Sequence, residues 1–245
     1  MHYTFINNGF PSEADYSDQS VQDIFLPLLK HLQQLQKDKG RRILVYLAAP
    51  PAAGKTTLVH FLKDLAGSIE GYPKVTSIGM DGFHHYQDWL LTHMEVKDGR
   101  TIKLVEVKGA PETFDLERLT DRIRKAASGM VCGWPEYDRA KHNPREDAAC
   151  VDGDIVLLEG NYLLLDLPGW RDLKQYADYT ISILADPAFL RNRLIERKKL
   201  TVPREEDAVH FVDFSDMKNV ELCLTRSQKA DLELWLKENN DYTLQ

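Results

Sequence analysis
Ala49-Pro50-Pro51-Ala52-Ala53-Gly54-Lys55-Thr56-Thr57 carries the plainest chemistry in the sequence. Small residues ending in Gly-Lys-Thr ahead of a helix suit phosphate. Backbone N–H groups at the helix start point at the anion, Lys55 adds a positive charge, and the Thr56 hydroxyl is a magnesium ligand. Pro51, Ala52, Ala53, Gly54, Lys55, Thr56 and Thr57 are therefore candidate nucleotide-binding residues. The pattern G-x-x-x-x-G-K-S/T fails only at its first position, where Ala49 replaces glycine, and Ala52 also stands where glycine is common. A left-handed backbone at either alanine would cost about 1 kcal/mol. The competing reading is a chance Gly-Lys-Thr before a helix.

Two further segments put carboxylates where such a loop needs them. Asp154-Ile155-Val156-Leu157-Leu158-Glu159-Gly160 is an apolar strand ending in an acid, and Glu159 stands where a magnesium-holding carboxylate is expected beside Thr56. Met80-Asp81-Gly82-Phe83-His84-His85 follows another strand. Strand ends in a parallel sheet face one crevice, so Asp81 is placed to accept the proton of an attacking hydroxyl. The alternative for Asp81 is a turn residue bonded to its own backbone before Gly82. His84 and His85 are substrate or metal candidates, although adjacent histidines more often lie on a surface loop and two do not make a metal site.

These residues need a scaffold of strands and helices. Val21, Ile24, Phe25, Leu28, Leu29, Leu32 and Leu35 recur at steps of three and four, predicting an opening helix over Gln19 to Lys37. Ile43 to Ala48 is the expected first core strand, after a charged break containing Gly40. Helices are expected over Thr56 to Ala66, Asp115 to Ala127, Pro187 to Lys199 and, less regularly, Glu205 to Leu224. Further strands are expected at Val75 to Met80, Ile155 to Leu158 and Tyr179 to Leu184. Asp231 to Leu236 suits a closing edge strand or a helix equally, and Arg145 to Asp152 a mobile loop or plain surface. The alternation predicts an α/β fold with a largely parallel sheet covered on both faces, in one domain over 1–245.

Composition narrows the class. Hydrophobic residues at 43% and charged residues at 28% are ordinary globular usage, and a net charge of −7 argues against a surface made for nucleic acid. Cys132, Cys150 and Cys223 are too scattered for a zinc or redox pair and are read as reduced thiols. Met1 to Pro11 has no basic segment followed by an apolar run, and no apolar stretch reaches the roughly 18 residues of a bilayer span. A cytoplasmic protein without membrane contact is the expectation.

Taken together, the motifs resemble the uridine kinase, phosphoribulokinase and pantothenate kinase superfamily of P-loop kinases, from about Arg42 onward. The narrower likeness is to its bacterial nucleoside, pantothenate or fructose-transport-system kinase branch. The marks are Met80-Asp81-Gly82-Phe83-His84, Lys108-Gly109-Ala110-Pro111-Glu112-Thr113-Phe114-Asp115, Pro135-Glu136-Tyr137-Asp138-Arg139 and Glu159-Gly160-Asn161-Tyr162-Leu163-Leu164. The resemblance implies a P-loop NTPase fold, ATP and Mg2+ as cofactors, and transfer of the γ-phosphate to a small hydroxyl acceptor. It implies Asp81 as base, with Tyr137, Asp138 and Arg139 in the acceptor pocket. It further implies a lid around 187–204 carrying Arg191, Arg193 and Arg197, at least one of which reaches the phosphates, and an adenine contact from Asn219. A core Tyr137, a surface Asp138 and Arg139, and a solvated arginine face are the plainer alternatives. A homodimer is left open. The rival functions are a nucleotide-binding regulatory protein that has lost catalysis and a nucleoside monophosphate kinase using Arg139 and Arg145.

Overall fold
The protein is described from a computed structural model, which covers residues 1–7, 10–97 and 99–245. Along the first half run β1 (His2–Asn7), β2 (Phe10–Asp15), α1 (Asp18–Ser20), α2 (Leu26–Lys39), β3 (Ile43–Ala48), α3 (Lys55–Gly67), β4 (Val75–Gly79), α4 (Gln87–Thr92), β5 (Met94–Lys97), β6 (Arg100–Lys103) and α5 (Leu116–Ala127). The second half holds β7 (Cys132–Asp138), β8 (Asn143–Val151), β9 (Ile155–Gly160), β10 (Tyr179–Ala185), α6 (Pro187–Lys199), α7 (Glu205–Phe211), α8 (Met217–Thr225), β11 (Leu232–Leu236) and β12 (Tyr242–Leu244).

The main sheet has the order β12-β11-β10-β3-β9-β4, parallel except for β12. Its central strands β3 and β9 are buried along their whole length, which is why both read as unbroken apolar runs. Ile43, Val45, Leu47, Ile155 and Leu157 face one core with α2, α3 and α6, whereas Leu44, Tyr46, Val156 and Leu158 face a second with α5. The period of two along each strand thus feeds two layers. Helix starts follow the expected chemistry. Asp115 caps α5 by accepting from Arg118 N at 3.0 Å, and Asp186 caps α6 by accepting from Ala188 and Phe189 N, with Pro187 in its first turn.

Several local expectations need correction. Leu232–Leu236 is a strand, but not the edge: it lies parallel to β10, and β12 covers its outer side. The segment Arg145 to Asp152 is mostly β8, paired antiparallel with β7 from Cys132↔Val151 to Asp138↔Asn143. A two-stranded ribbon demands no continuous apolar face, so its charged sequence hid the strand. Two more ribbons, β1–β2 and β5–β6, had no counterpart in the sequence reading. The first docks on α3 through Tyr3 against Phe61 and Phe5 stacked on His60. The opening helix is continuous over 18–39, with a widened turn at Val21–Phe25 between α1 and α2. Among the described residues no helix is long and apolar enough to cross a membrane. All three cysteines are free.

Candidate active site
The loop from β3 into α3 is shaped by two left-handed residues. Gly54 takes φ 79° immediately before the helix, and Ala52 takes φ 64° two residues earlier. Ala49 is not among the positive-φ residues, so its side chain is tolerated without strain, whereas Ala52 sits in the conformation that favours glycine. The Leu58 amide donates to the Gly54 carbonyl at 3.0 Å, and the N–H groups of Lys55, Thr56 and Thr57 have no backbone acceptor among the described residues. They are the orphan donors of a helix start.

Register brings the first carboxylate to this loop. Glu159 lies between Leu47 of β3 and Gly79 of β4, at the C-terminal end of the sheet. The Thr56 hydroxyl donates to Glu159 Oε1 at 2.7 Å, while Glu159 Oε2 is buried with no hydrogen-bond partner. Burial pushes the Glu159 carboxyl above its usual range, with the Asp81 charge adding to the rise and Lys55 opposing it. A buried carboxylate oxygen left without a donor, next to the Thr56 hydroxyl, is a donor set that a divalent cation fits.

Asp81 is the second residue of the one-turn helix Met80–Phe83 just beyond β4. Its carbonyl accepts from His84 N at 3.2 Å and from His84 Nδ1 at 2.9 Å, but its carboxylate makes no hydrogen bond among the described residues. The neighbouring Gly82 is required by close approach: a Cβ there would lie 2.0 Å from the Pro135 carbonyl oxygen. Trp134 Nε1 adds a bond to the Gly79 carbonyl at 2.8 Å. The β7 strand, with Pro135 and Tyr137, and Arg139 just past its end are thereby seated on the Asp81 turn.

Two adjoining cavities share Asp81, Tyr137 and Arg139. The smaller, about 90 Å³, is bordered by Thr56 and Glu159. The larger, about 360 Å³, is bordered by Pro51, Lys55, His84, Arg197 and Asn219. His84 is buried against the Phe114 ring at 3.8 Å, and burial holds its pKa below the ordinary value, so the ring is neutral near pH 7. Burial raises the Tyr137 phenol to about 12. Arg197 projects into the larger cavity near Asp216, whose own carboxyl is pushed up by burial.

Other expected residues go elsewhere. Ala53, Gly54, Thr57 and Arg193 border a third cavity of about 280 Å³ with Tyr16, Asn240 and Tyr242, and Arg193 donates to Asn240 Oδ1 at 2.6 Å. Arg191 is held by Asp213 through two bonds of 2.6 and 2.8 Å and lines none of these cavities. Asp138 accepts from Ala140 N and Lys141 N in the β7–β8 turn and borders none of them either. Asn219 stands in the cavity of Lys55 and Asp81, not with Gly54 and Thr57. His85 stacks on Trp89 at 3.7 Å. Arg145 pairs with Glu136 at 2.9 Å on the surface.

Lys108 and Asn161, quoted above only within the family marks, and Asp216 were given no site role by sequence reasoning, yet all three line the larger cavity. Asn161 Oδ1 is buried and unpartnered. Asn161 follows the end of β9 by one residue, so the strand-end rule applied to Glu159 could have found it. No spacing signal links Lys108 to the loop.

The model of the Phosphoribulokinase / Uridine kinase family matches residues 44–239. The chain belongs to that family. It is a P-loop kinase of the uridine, pantothenate and phosphoribulokinase type, and ATP binding, usually with Mg2+, is what the family implies. Among family relatives, "Uncharacterized protein YggC" of Escherichia coli (strain K12) is 40% identical over 236 residues, 96% of this chain and 95% of its own. A "putative uridine kinase" of Schizosaccharomyces pombe is 31% identical over 79% of each chain. The crystal structure of a "putative fructose transport system kinase" from Silicibacter sp. TM1040 superposes with a TM-score of 0.71 at 30% identity, covering 84% of this chain and 98% of that one.

Proposed function
We propose that this chain transfers the γ-phosphate of ATP to a hydroxyl group of a small metabolite. The observation that carries the reading is the Thr56–Glu159 hydrogen bond, with the second Glu159 oxygen buried and unpartnered beside the cavity of Asp81. Relatives named as a "putative uridine kinase" and as pantothenate kinases favour a small-molecule acceptor.

In this reading Pro51, Ala52, Ala53, Gly54, Lys55, Thr56 and Thr57 hold the phosphates through backbone N–H groups and the Lys55 ammonium. Thr56 and Glu159 hold Mg2+, which when bound neutralises charge on the phosphate oxygens. The base and ribose occupy the third cavity, between Gly54, Thr57 and Arg193. Asp81 accepts the proton of the acceptor hydroxyl as that oxygen bonds to the γ-phosphorus and the bond to the ADP oxygen breaks. His84, neutral and fixed by the Asp81 carbonyl, shapes the pocket with Tyr137. Arg197 stabilises charge on the transferred group from α6, the helix that serves as lid. Arg191 and Asp138, tied to Asp213 and to the β7–β8 turn, are left to support the lid and the ribbon.

A regulatory protein without turnover is the second reading, and Ala52 favours it, because a left-handed alanine costs about 1 kcal/mol in the phosphate loop. A screen of hydroxyl metabolites with ATP and Mg2+, read by ADP release and product mass, decides between them. One added phosphoryl group on one compound is the expected result. Nucleotide binding with no acceptor-stimulated ADP release would overturn the kinase reading.

A further inference from the structure
The larger cavity holds more positive charge than a nucleotide needs. Lys55, Lys108, Arg139, Arg197 and Lys198 border it against the carboxylates of Asp81 and Asp216, in a chain whose net charge is −7. Lys55 and Arg197 are accounted for by the phosphates, and the Lys198 ammonium lies 3.3 Å from the centre of the Phe211 ring. Lys108 and Arg139 remain. Lys108 Nζ donates to Gln87 Oε1 at 2.7 Å and to the His142 carbonyl at 3.0 Å, both neutral, and stands 4.9 Å from the centre of the Tyr137 ring. Neither Lys108 nor Arg139 has an ion pair among the described residues. Burial draws the Lys108 ammonium down to about 8, the direction expected of a cation taken out of water without a counter-charge.

We propose that the acceptor carries an anionic group, a carboxylate or a phosphate, which Lys108 and Arg139 bind in the cavity they share with Asp81. The inference rests on the phosphoryl-transfer reading above for the identity of that cavity. A half-buried ammonium with neutral partners is held at a cost that an arriving anion removes, and a neutral nucleoside or sugar would leave it in place. Tyr137 links the parts, because its ring meets both Lys108 and His84, and His84 is bound to the Asp81 carbonyl. The anion on one end of the acceptor and the hydroxyl at Asp81 on the other would fix its direction. Arg139, which borders both cavities, makes the second contact.

The test uses matched pairs that differ in charge: uridine and uridine 5′-monophosphate, fructose and fructose 6-phosphate, panthenol and pantothenate. Binding is measured by calorimetry on protein saturated with Mg2+ and a non-hydrolysable ATP analogue, with inorganic phosphate and acetate as shape-independent probes. ADP release is measured with ATP. The charged member of at least one pair should bind more tightly than its neutral partner and be the one phosphorylated. Phosphate pairs against the carboxylate pair show which anion is preferred. In Lys108→Gln the affinity for the charged member should fall by about 10- to 100-fold, the loss typical of a charged hydrogen bond. Lys108→Arg should recover part of it, and the KM for ATP should move less than about threefold in either variant, since Lys108 lies outside the phosphate loop. Equal binding of charged and neutral partners, Lys108→Gln without effect, or no anion bound at all would overturn the inference while leaving the kinase reading intact. Lys108-dependent anion binding with no ADP release from any compound would sustain the inference and overturn the kinase reading instead.

Discussion

Gly82→Ala separates the acceptor side of the site from the nucleotide side. The added Cβ would stand 2.0 Å from the Pro135 carbonyl oxygen, 2.4 Å from its carbonyl carbon and 2.9 Å from Glu136 N, all backbone atoms. Ordinary contact begins at 3.4 Å, so the Asp81 turn and β7 must part by about 1.4 Å, the difference between 3.4 and 2.0 Å. No side-chain rotation relieves the clash. Overpacking of this kind costs about 1–3 kcal/mol in stability, and a displacement near 1 Å between reacting groups costs about 10²-fold in rate. Tyr137 and Arg139 move with β7, whereas Lys55, Thr56 and Glu159 do not. The expected result is a fall of about 10²-fold in acceptor-dependent kcat/KM, with ATP affinity within about threefold of wild type. Urea unfolding checks that the variant is folded, and calorimetry with an ATP analogue checks the nucleotide side. Wild-type transfer by a folded Gly82→Ala protein would refute the argument that this contact seats the acceptor pocket on Asp81.

Asp81→Asn keeps the shape of the side chain and removes its basicity, so transfer should drop by about 10²–10⁴ with ATP affinity nearly unchanged; a rate within a few-fold of wild type would leave Asp81 as a turn residue only. Glu159→Gln preserves an acceptor for the Thr56 hydroxyl but removes the carboxylate charge, so the Mg2+ concentration for half-maximal activity should rise at least about tenfold, and an unchanged requirement would move the metal elsewhere. The pH dependence follows from Lys108, whose pKa is drawn down to about 8. Its charge is present below that pH and lost above it, so KM for an anionic acceptor should rise as pH passes through 8; a flat KM profile from pH 7 to 9 would remove Lys108 from the acceptor site.

What the sequence determined by itself was the frame and the end of the cavity where Thr56 meets Glu159. Ile43–Ala48 and Pro187–Lys199 have the expected bounds, because a strand buried on both faces and a helix opened by Asp186-Pro187 are set by local pattern and capping. Lys55, Thr56 and Glu159 were legible for the same reason: each stands at a strand end or helix start, where backbone geometry dictates direction. Tertiary structure decided the surroundings of Asp81. The β7–β8 ribbon has no apolar period to announce it, and only its docking against Gly82 brings Tyr137 and Arg139 to Asp81. Among the arginines of α6, sequence spacing puts Arg193 and Arg197 on one side of the helix and Arg191 on the other, but names no neighbours. Asp213 claims Arg191, Asn240 claims Arg193, and Arg197 alone of the three reaches the cavity of Lys55. Lys108 and Asp216 stand more than 100 residues apart in the chain, and the charge excess they help define exists only where separate segments converge, which no local pattern encodes.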